Sequence, residues 1–347
     1  MSDTSRSDDT VAWALIGTAA AVLLLHVFRA ILWPFAFALV ITVLIQAFLR
    51  AVVSVWPRAN KRAVALIAGV AALGLLFAAG GVVLPGVAGL RDELPLLLER
   101  LNGLLTAVSH RVGLEEPLTV DVLFGNLNAR EVASWMLGGL SSAFSGLVLT
   151  ALFVIFQLVS WELIGRRLRL ALGGREGQST LVLERSVRGV ETYLWIQTVT
   201  GLMNAGASGL IMFSVGLDHW VLWAIAFFML SFIPFLGVAI GSIGPALFAL
   251  LQFSSPWPSA IIFVGIQAVA FVVGNLVLPK LQASTQNIDP CASLMAVGAW
   301  SIVWGLPGAF LAVPLTLALI YQLAGTRRLR WVAILLSNDG EPLPETP

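Results

Sequence analysis

The chain has 347 residues, of which 58% are hydrophobic and only 11% carry a charge. Soluble domains contain about 25% charged residues, and so few polar side chains could not cover the interior of a soluble fold of this size. The composition therefore predicts an all-α, polytopic membrane protein. A net charge near +1, without a basic and aromatic patch, gives no sign of a nucleic-acid partner. The single cysteine, Cys291, excludes an internal disulfide.

The N-terminal quarter predicts a short tail and three transmembrane helices. Residues 1–10 are polar and mixed in charge, and we expect them to form a disordered cytoplasmic tail. Three apolar spans fill residues 11–84. They are expected at about 11–28, 31–49 and 63–84. Arg29 and Pro34 predict a tight reversal between the first two spans. The first span lacks a small-residue cleavage site, so a cleaved signal peptide is not predicted.

Residues 85–138 form the one sizeable polar region and are expected to be an extracytoplasmic segment. Apolar side chains recur there at intervals of three and four residues, as in an amphipathic helix. They are Leu94, Leu97, Leu101, Leu104 and Val108. Pro95 suits such a helix if it lies in the first turn. The apolar face could pack on the membrane surface, on a neighbouring subunit or on the protein's own bundle, and the sequence leaves these alternatives open.

The remaining membrane elements lie in residues 139–326, the predicted transport region. Within it, residues 220–279 contain no Asp, Glu, Lys, Arg or His. As one helix this stretch would be about 90 Å long, whereas the hydrocarbon core of a bilayer is about 30 Å thick. The chain must therefore fold back, and a turn is predicted at 252–258, where two prolines occur. The part before it, 220–251, is too long for one span and too short for two.

Two proline-glycine interruptions divide the uncharged runs. The first is Ser231-Phe-Ile-Pro-Phe-Leu-Gly237, and the second is Gly305-Leu-Pro-Gly308, followed by Pro314. Proline inside a helix costs about 3 kcal/mol or more, and freed carbonyl groups in lipid must be satisfied by protein or water. We interpret the first run as a discontinuous helix or a re-entrant hairpin, with an ordinary kinked span as the alternative. A broken helix can expose N–H and C=O groups to a polar solute at mid-membrane depth, so such segments point to a transporter's binding region.

Basic residues predict the orientation in the membrane. With eight membrane elements, one side receives fourteen of the twenty Lys and Arg residues. The positive-inside rule places that side in the cytoplasm. We therefore expect a bacterial inner (plasma) membrane protein with both termini in the cytoplasm, including a C-terminal tail at 327–347.

No catalytic, cofactor or metal motif is present, because the sequence lacks a GxSxG motif, a phosphate-binding loop and metal-ligand spacing. An enzyme is therefore not predicted. Asp218 beside His219 could form a proton-sensitive pair, although a solvated turn is the simpler interpretation. Four uncharged polar residues near the interruptions could contact a solute, although amides in spans more often bind a neighbouring helix. They are Gln197, Asn204, Gln267 and Asn275.

Four stretches of the C-terminal half together resemble the autoinducer-2 exporter family, also called PerM-type or PurR-regulated permeases. They are Ser231-Phe-Ile-Pro-Phe-Leu-Gly237, Gly274-Asn-Leu-Val-Leu-Pro279, Asp289-Pro290 and Trp304-Gly-Leu-Pro-Gly-Ala-Phe-Leu-Ala-Val-Pro-Leu315. The resemblance covers about residues 10–325. It implies a permease that forms a homo-oligomer, with a pentamer as one expected form. Gly274 stands where the family often has an acidic residue, which puts ion or proton coupling through that position in doubt.

The interruptions and the resemblance together predict an inner-membrane permease or exporter of a small polar solute, such as an autoinducer-2-like signal or a related metabolite. The alternatives are a non-transporting membrane scaffold and a cation/proton antiporter. The predicted substrate path is lined by Pro234, Phe235, Gly237, Gly241, Asn275, Pro279, Gly305, Pro307, Gly308, Pro314, Asn204 and Gln267.

Overall fold

A computed structural model of the protein describes most of the chain. It covers residues 16–58, 60–113, 118–120, 122, 129–171, 178–234, 236–282, 288–326 and 329–341. These residues contain helices and no strand. Six of the helices are long and apolar enough to cross a membrane, which confirms the predicted all-α, polytopic fold. The tail predicted for residues 1–10 lies outside the described residues.

The chain divides into two compact units. Unit 1 comprises Met1–Gly69, Leu149–Trp195 and Ser284–Pro347, and unit 2 comprises Val70–Val148 and Ile196–Ala283. Each unit contains one of the two predicted interruptions.

The first two helices follow each other with a single residue between them. Helix α1 spans Ile16–Val27 and α2 spans Arg29–Val55. The Phe28 N–H donates to the Leu24 carbonyl (2.9 Å), and the Phe28 carbonyl accepts from the Leu32 N–H (3.0 Å). Phe28 has φ −87° and ψ 13°, in the bridge region and not at α-helical values, so the chain bends here. The predicted tight reversal between Arg29 and Pro34 is wrong, and Pro34 lies inside α2.

Helix α3 is one continuous helix over Lys61–Val112. It joins the predicted third span to the predicted amphipathic helix, so the expected boundary after residue 84 falls inside it. At about 1.5 Å per residue, its 52 residues extend about 78 Å, well beyond the hydrocarbon core. Pro95 lies within this helix and not in a first turn. Leu97 packs against the core cluster of unit 2, which supports packing on the protein's own bundle.

The next two helices are each longer than one crossing of a membrane requires. Helix α4 spans Ala129–Ala171, with its apolar part at Ser145–Leu168. Helix α5 spans Gln178–Val215, and Ser179–Val215 within it is a candidate membrane span. Shorter helices follow in unit 2. They are α6 at Trp220–Ser231, α7 at Leu236–Gln252, α8 at Trp257–Val272, a π-helical segment at Val273–Val277 and α9 at Leu278–Gln282.

The C-terminal part of unit 1 contains three helices. Helix α10 spans Pro290–Trp304, α11 spans Leu306–Ala324 and α12 spans Arg330–Leu336. Helix α12 lies in the region predicted as a tail. Its Ala333 is fully buried in a cluster with residues of α11. Part of the predicted tail is therefore a packed helix.

Candidate functional site

Helices α6 and α7 form an antiparallel hairpin around the first interruption. Three glycines of α7 lie so close to α6 that an added Cβ would overlap it. Gly237 faces Leu230, Gly241 faces Phe227 and Gly244 faces Trp223. Residue numbers rise along α7 as they fall along α6, so the two helices run in opposite directions. The predicted discontinuity is confirmed, and its form is a hairpin whose tip contains Phe232, Ile233 and Pro234.

The length of α6 relates the hairpin tip to its base. Twelve residues extend about 18 Å, slightly more than half of the roughly 30 Å hydrocarbon core. The base contains the ionisable residues Asp218 and His219, whereas the tip contains none. A base at the membrane surface therefore places the tip near the midplane.

The carbonyl groups that end α6 at the tip are all satisfied within the protein. Phe228 accepts from the Ser231 hydroxyl (2.7 Å), Met229 from the Phe232 N–H (3.2 Å), Leu230 from the Ile233 N–H (2.8 Å) and Ser231 from the side-chain amide of Gln197. Backbone dipoles in lipid need such partners. Each of these four carbonyls therefore has a hydrogen-bond partner within the protein, without a solute. Gln197 on α5 acts as a cap.

Helices α10 and α11 form a second hairpin, in unit 1. Gly305 separates them with φ 69°, a left-handed conformation that glycine adopts without strain. A Cβ added to Gly308 would lie 2.7 Å from the Trp300 carbonyl carbon. Further along, the Trp300 indole donates to the Thr316 hydroxyl (3.1 Å). The second interruption is therefore also confirmed as a break.

Helix α1 supports the tip of this second hairpin. The Trp304 indole N–H donates to the Leu25 carbonyl (3.0 Å), and Nδ1 of His26 donates to the Val303 carbonyl (3.0 Å). No role for His26 is predicted from the sequence. Its one signal was a titratable side chain inside an otherwise uncharged apolar segment.

The predicted path residues are divided between the two units. Unit 2 contains Asn204, Pro234, Gly237, Gly241, Gln267, Asn275 and Pro279, and unit 1 contains Gly305, Pro307, Gly308 and Pro314. Phe235 lies outside the described residues. The buried glycines contact a neighbouring helix directly, and Pro314 is buried inside α11. Pro234 and Pro307 are half-buried, and Gly305 and Pro279 are exposed.

Two of the candidate amides, Gln267 and Asn275, are exposed. Gln267 lies on α8, and Asn275 lies in the π-helical segment. The Asn275 side-chain N–H donates to the Phe271 carbonyl of its own helix (2.9 Å). Nothing lies within 4 Å of a Cβ added to Gly274. Short π-helical segments of this kind often occur at functional sites.

Helix α5 presents two buried oxygen atoms without a hydrogen-bond partner among the described residues. They are Oδ1 of Asn204 and Oγ of Ser208, which lie one helical turn apart. Gly201 and Gly209 flank them, and a Cβ added to either would lie between 2.5 and 3.2 Å from an α6 side chain. This stripe of α5 therefore lies against the first half of the hairpin. Buried polar atoms are nearly always paired, so each unpaired one needs an explanation.

The base of the α6–α7 hairpin is held by polar groups. His219 Nε2 lies 3.5 Å from Oε1 of Glu93 on α3. The Asp218 N–H donates to the Gln252 side-chain oxygen (2.9 Å). Arg100 donates to the Leu251 carbonyl. The partner of His219 is therefore Glu93 and not Asp218. Asp218 lies in an exposed turn that Gln252 of α7 holds, in agreement with the simpler interpretation from the sequence.

Comparison with known sequences assigns the protein to a family. The sequence model described as AI-2E family transporter matches residues 13–327. The chain belongs to the AI-2E transporter family. It is 24% identical over 363 residues to the putative transport protein YhhT of Escherichia coli K12, covering 99% of both chains. It is 24% identical over 318 residues to the AI-2 transport protein TqsA of the same organism, covering 89% of this chain and 90% of TqsA.

A third relative is the putative permease PerM of Escherichia coli K12, at 25% identity over 334 residues, or 89% of this chain and 91% of PerM. Membership confirms the resemblance predicted from the four C-terminal stretches. AI-2E proteins are transporters, and the apolar helices of this member make it a multi-pass membrane protein.

Proposed function

We propose that this AI-2E family transporter exports a small, uncharged polar solute, such as an autoinducer-2-like signal or a related metabolite, across the bacterial inner membrane. The observation that carries the proposal is the pair of unpaired oxygen atoms at Asn204 and Ser208, buried against the α6–α7 hairpin. Family membership supports transport over a scaffold role. The naming of TqsA as an AI-2 transport protein supports the solute class.

The chemistry of the two oxygen atoms favours a solute with hydroxyl groups. A buried acceptor without a partner costs about 1–3 kcal/mol, and that cost is recovered when a solute donates hydrogen bonds to it. Residues 220–279 contain no charged side chain that could balance an ionic solute. A neutral polar molecule therefore fits this part of the chain better than an ion.

The distribution of basic residues supports the proposed orientation. Fourteen of the twenty Lys and Arg residues fall on one side of the predicted topology, and they include Arg330 near the C-terminus. The positive-inside rule places this side, and the C-terminus, in the cytoplasm.

The proposal is tested by flux measurements in proteoliposomes. The probes are labelled autoinducer-2 and a panel of labelled neutral polyols, each tested with wild type, Asn204→Leu and Ser208→Ala. We expect wild type to move at least one probe. Since an unpaired polar contact corresponds to about 1–3 kcal/mol, Asn204→Leu should lower that flux by about tenfold or more.

Leu210→Val is the matched control, because Leu210 is exposed on the same helix. Its flux should equal that of wild type. Equal flux in Asn204→Leu would remove Asn204 from the path, and a wild type that moves none of the neutral probes would contradict the solute class.

A further inference from the structure

We propose that the indole N–H of Trp223 on α6 is a third polar group of the solute site and selects solutes that carry an acceptor oxygen beside their hydroxyl groups. The inference rests on the proposed solute site at Asn204 and Ser208. Nε1 of Trp223 is buried and has no hydrogen-bond partner within the part of the chain that the structure describes. Buried polar atoms are nearly always paired, so this donor needs an explanation, as the two oxygen atoms do.

Trp223 and Ser208 lie at nearly the same depth in unit 2. Gly209 and Ala224 directly follow them in sequence, and a Cβ added to Gly209 would lie 3.1 Å from the Ala224 Cβ. Since each residue advances a helix by about 1.5 Å, Ser208 and Trp223 differ by at most about 3 Å along the helix axes. Asn204 lies one turn further along α5, at a distance of about 6 Å from Ser208 along the axis.

Trp223 and the α5 stripe also border the same packed region. Met212, one helical turn after Ser208, is fully buried in the core cluster of unit 2, and Trp223 packs against this cluster. The Trp223 atoms nearest to the Cβ position of Gly244 on α7 are Cζ3, Cη2 and Cε3. These atoms belong to the benzene ring, on the edge away from Nε1. The contact that holds α6 against α7 therefore uses the apolar edge of the indole and leaves the N–H free for another partner.

The three unpaired atoms differ in what they can bind. An indole N–H only donates, an amide oxygen only accepts, and the oxygen of a serine hydroxyl can accept. A solute that satisfies all three must combine an acceptor oxygen with hydroxyl hydrogens in one small molecule. A neutral hydroxyketone has this combination, because its carbonyl oxygen can accept from Trp223 while its hydroxyl groups donate to Asn204 and Ser208.

Burial makes these contacts selective. All three atoms are shielded from solvent, so an analogue that lacks one matching group leaves the corresponding protein atom unpaired. Sites built to hydrogen-bond a solute reject such analogues much more strongly than an apolar pocket rejects a missing methylene group. We expect the loss of one such contact to lower the flux at low solute concentration by about fivefold or more.

Two solutes that differ at one position test the role of Trp223. Erythrulose and butanetriol have the same three hydroxyl groups, and erythrulose has a carbonyl group where butanetriol has CH2. Labelled forms of both are tested in proteoliposomes at low concentration, and the flux into liposomes without protein is subtracted. Wild type should move erythrulose about fivefold or more faster than butanetriol. In Trp223→Phe, which removes the N–H and keeps an aromatic ring, the ratio of the two fluxes should fall to about one.

Two further variants separate the N–H from packing and from the rest of the site. Trp220→Phe is the matched control, because Trp220 lies three residues before Trp223 and packs against the same core cluster. Its flux ratio should equal that of wild type. Asn204→Leu should lower both fluxes and leave their ratio unchanged, since both solutes carry hydroxyl groups. The ratio is independent of how much protein is folded, and Trp223→Leu, which also lacks the N–H, should give the same low ratio as Trp223→Phe.

The outcomes distinguish this inference from the proposed function. If Asn204→Leu lowers both fluxes but the ratio is unchanged in Trp223→Phe and Trp223→Leu, the role of Trp223 is overturned and the solute site remains. If Asn204→Leu has the fluxes of wild type, the site itself is removed and the inference falls with it. A ratio near one in wild type, a wild type that moves neither solute, or an equal fall of the ratio in Trp220→Phe would each overturn the inference as well.

Discussion

The two helical hairpins reach the same geometry by different local chemistry. In each, the chain breaks between two apolar helices, and a glycine shortly after the break lies against a backbone carbonyl of the first helix. The first pair is Gly237 and Leu230, and the second is Gly308 and Trp300. The first break contains Pro234 in a tip of several residues, whereas the second turns at Gly305 alone.

The side chains that cap the two tips differ in how far they lie, along the sequence, from the carbonyl group that they cap. Gln197, which caps the first tip, lies on the helix directly before the hairpin and is separated from Ser231 by 34 positions. His26, which caps the second tip, is separated from Val303 by 277 positions. The first hairpin is therefore closed by its own neighbourhood, whereas the second depends on a contact between the two ends of the chain.

The largest expected effects test the shared feature, the glycine contact. Gly308→Ala and Gly237→Ala each place a Cβ inside van der Waals distance of backbone atoms that cannot rotate away. Overpacking costs about 1–3 kcal/mol and occasionally more, and these two sites belong at the upper end. We expect a large fall in thermal unfolding temperature in detergent for both variants.

Two other glycines serve as controls, because alanine at these positions should not lower the unfolding temperature. Gly298 on α10 and Gly206 on α5 have nothing within 4 Å of an added Cβ. Alanine there should be neutral or stabilise by up to about 1 kcal/mol, because alanine has the higher helix propensity. If all four substitutions shift the unfolding temperature in the same direction, the glycine contacts do not hold the hairpins together.

A smaller effect is expected from the cap of the first tip. Gln197→Leu removes the donor to the Ser231 carbonyl and leaves that oxygen unpaired, which costs about 1–3 kcal/mol. Hydrogen exchange should accelerate at the Phe232 and Ile233 amides and stay unchanged at Gly305. Acceleration at both tips, or at neither, would contradict separate caps for the two hairpins.

Much of this fold could be predicted from the sequence, because the bilayer restricts the choices. An uncharged run of sixty residues must fold back, and proline and glycine mark where it does so, as Pro234 and Gly305 show. The family could be predicted as well, since its motifs surround these same breaks.

Helix ends were predicted less well. A helix was expected to end near residue 84 and another to begin with Pro95 in its first turn, but Pro85 and Pro95 both lie inside α3. Packing of Leu97 on the core of unit 2 outweighs the local preference of proline in this helix. Likewise, Arg29 and Pro34 suggest a turn. Instead, backbone hydrogen bonds at Phe28 continue the helical pattern from α1 into α2, and the chain only bends there.

The caps could not be predicted, because they depend on which side chain of one helix meets the tip of another. Gln197 was one of four candidate amides, and no pattern connected it with Ser231. The link between His26 and Val303 joins residues at opposite ends of the chain. Hydropathy and spacing contain no information about such pairs.

The smallest expected effect concerns this long-range cap. His26→Leu leaves the Val303 carbonyl without its donor, but the position is exposed, so the loss should be about 0.5–1.5 kcal/mol, the net value of one hydrogen bond. Hydrogen exchange should rise around Gly305 and remain unchanged at Phe232, the reverse of the Gln197→Leu pattern.

A rescue variant separates the hydrogen bond from simple packing. His26→Asn places an N–H close to the position of the histidine Nδ1 and should restore slow exchange around Gly305, whereas Val27→Leu, at a neighbouring exposed position (63%), should have no effect. If His26→Asn behaves like His26→Leu, the imidazole contributes by its volume and not by its hydrogen bond. The second tip would then depend on Trp304 and the Leu25 carbonyl for its link to α1, and the contrast between a local and a long-range side-chain cap would no longer hold.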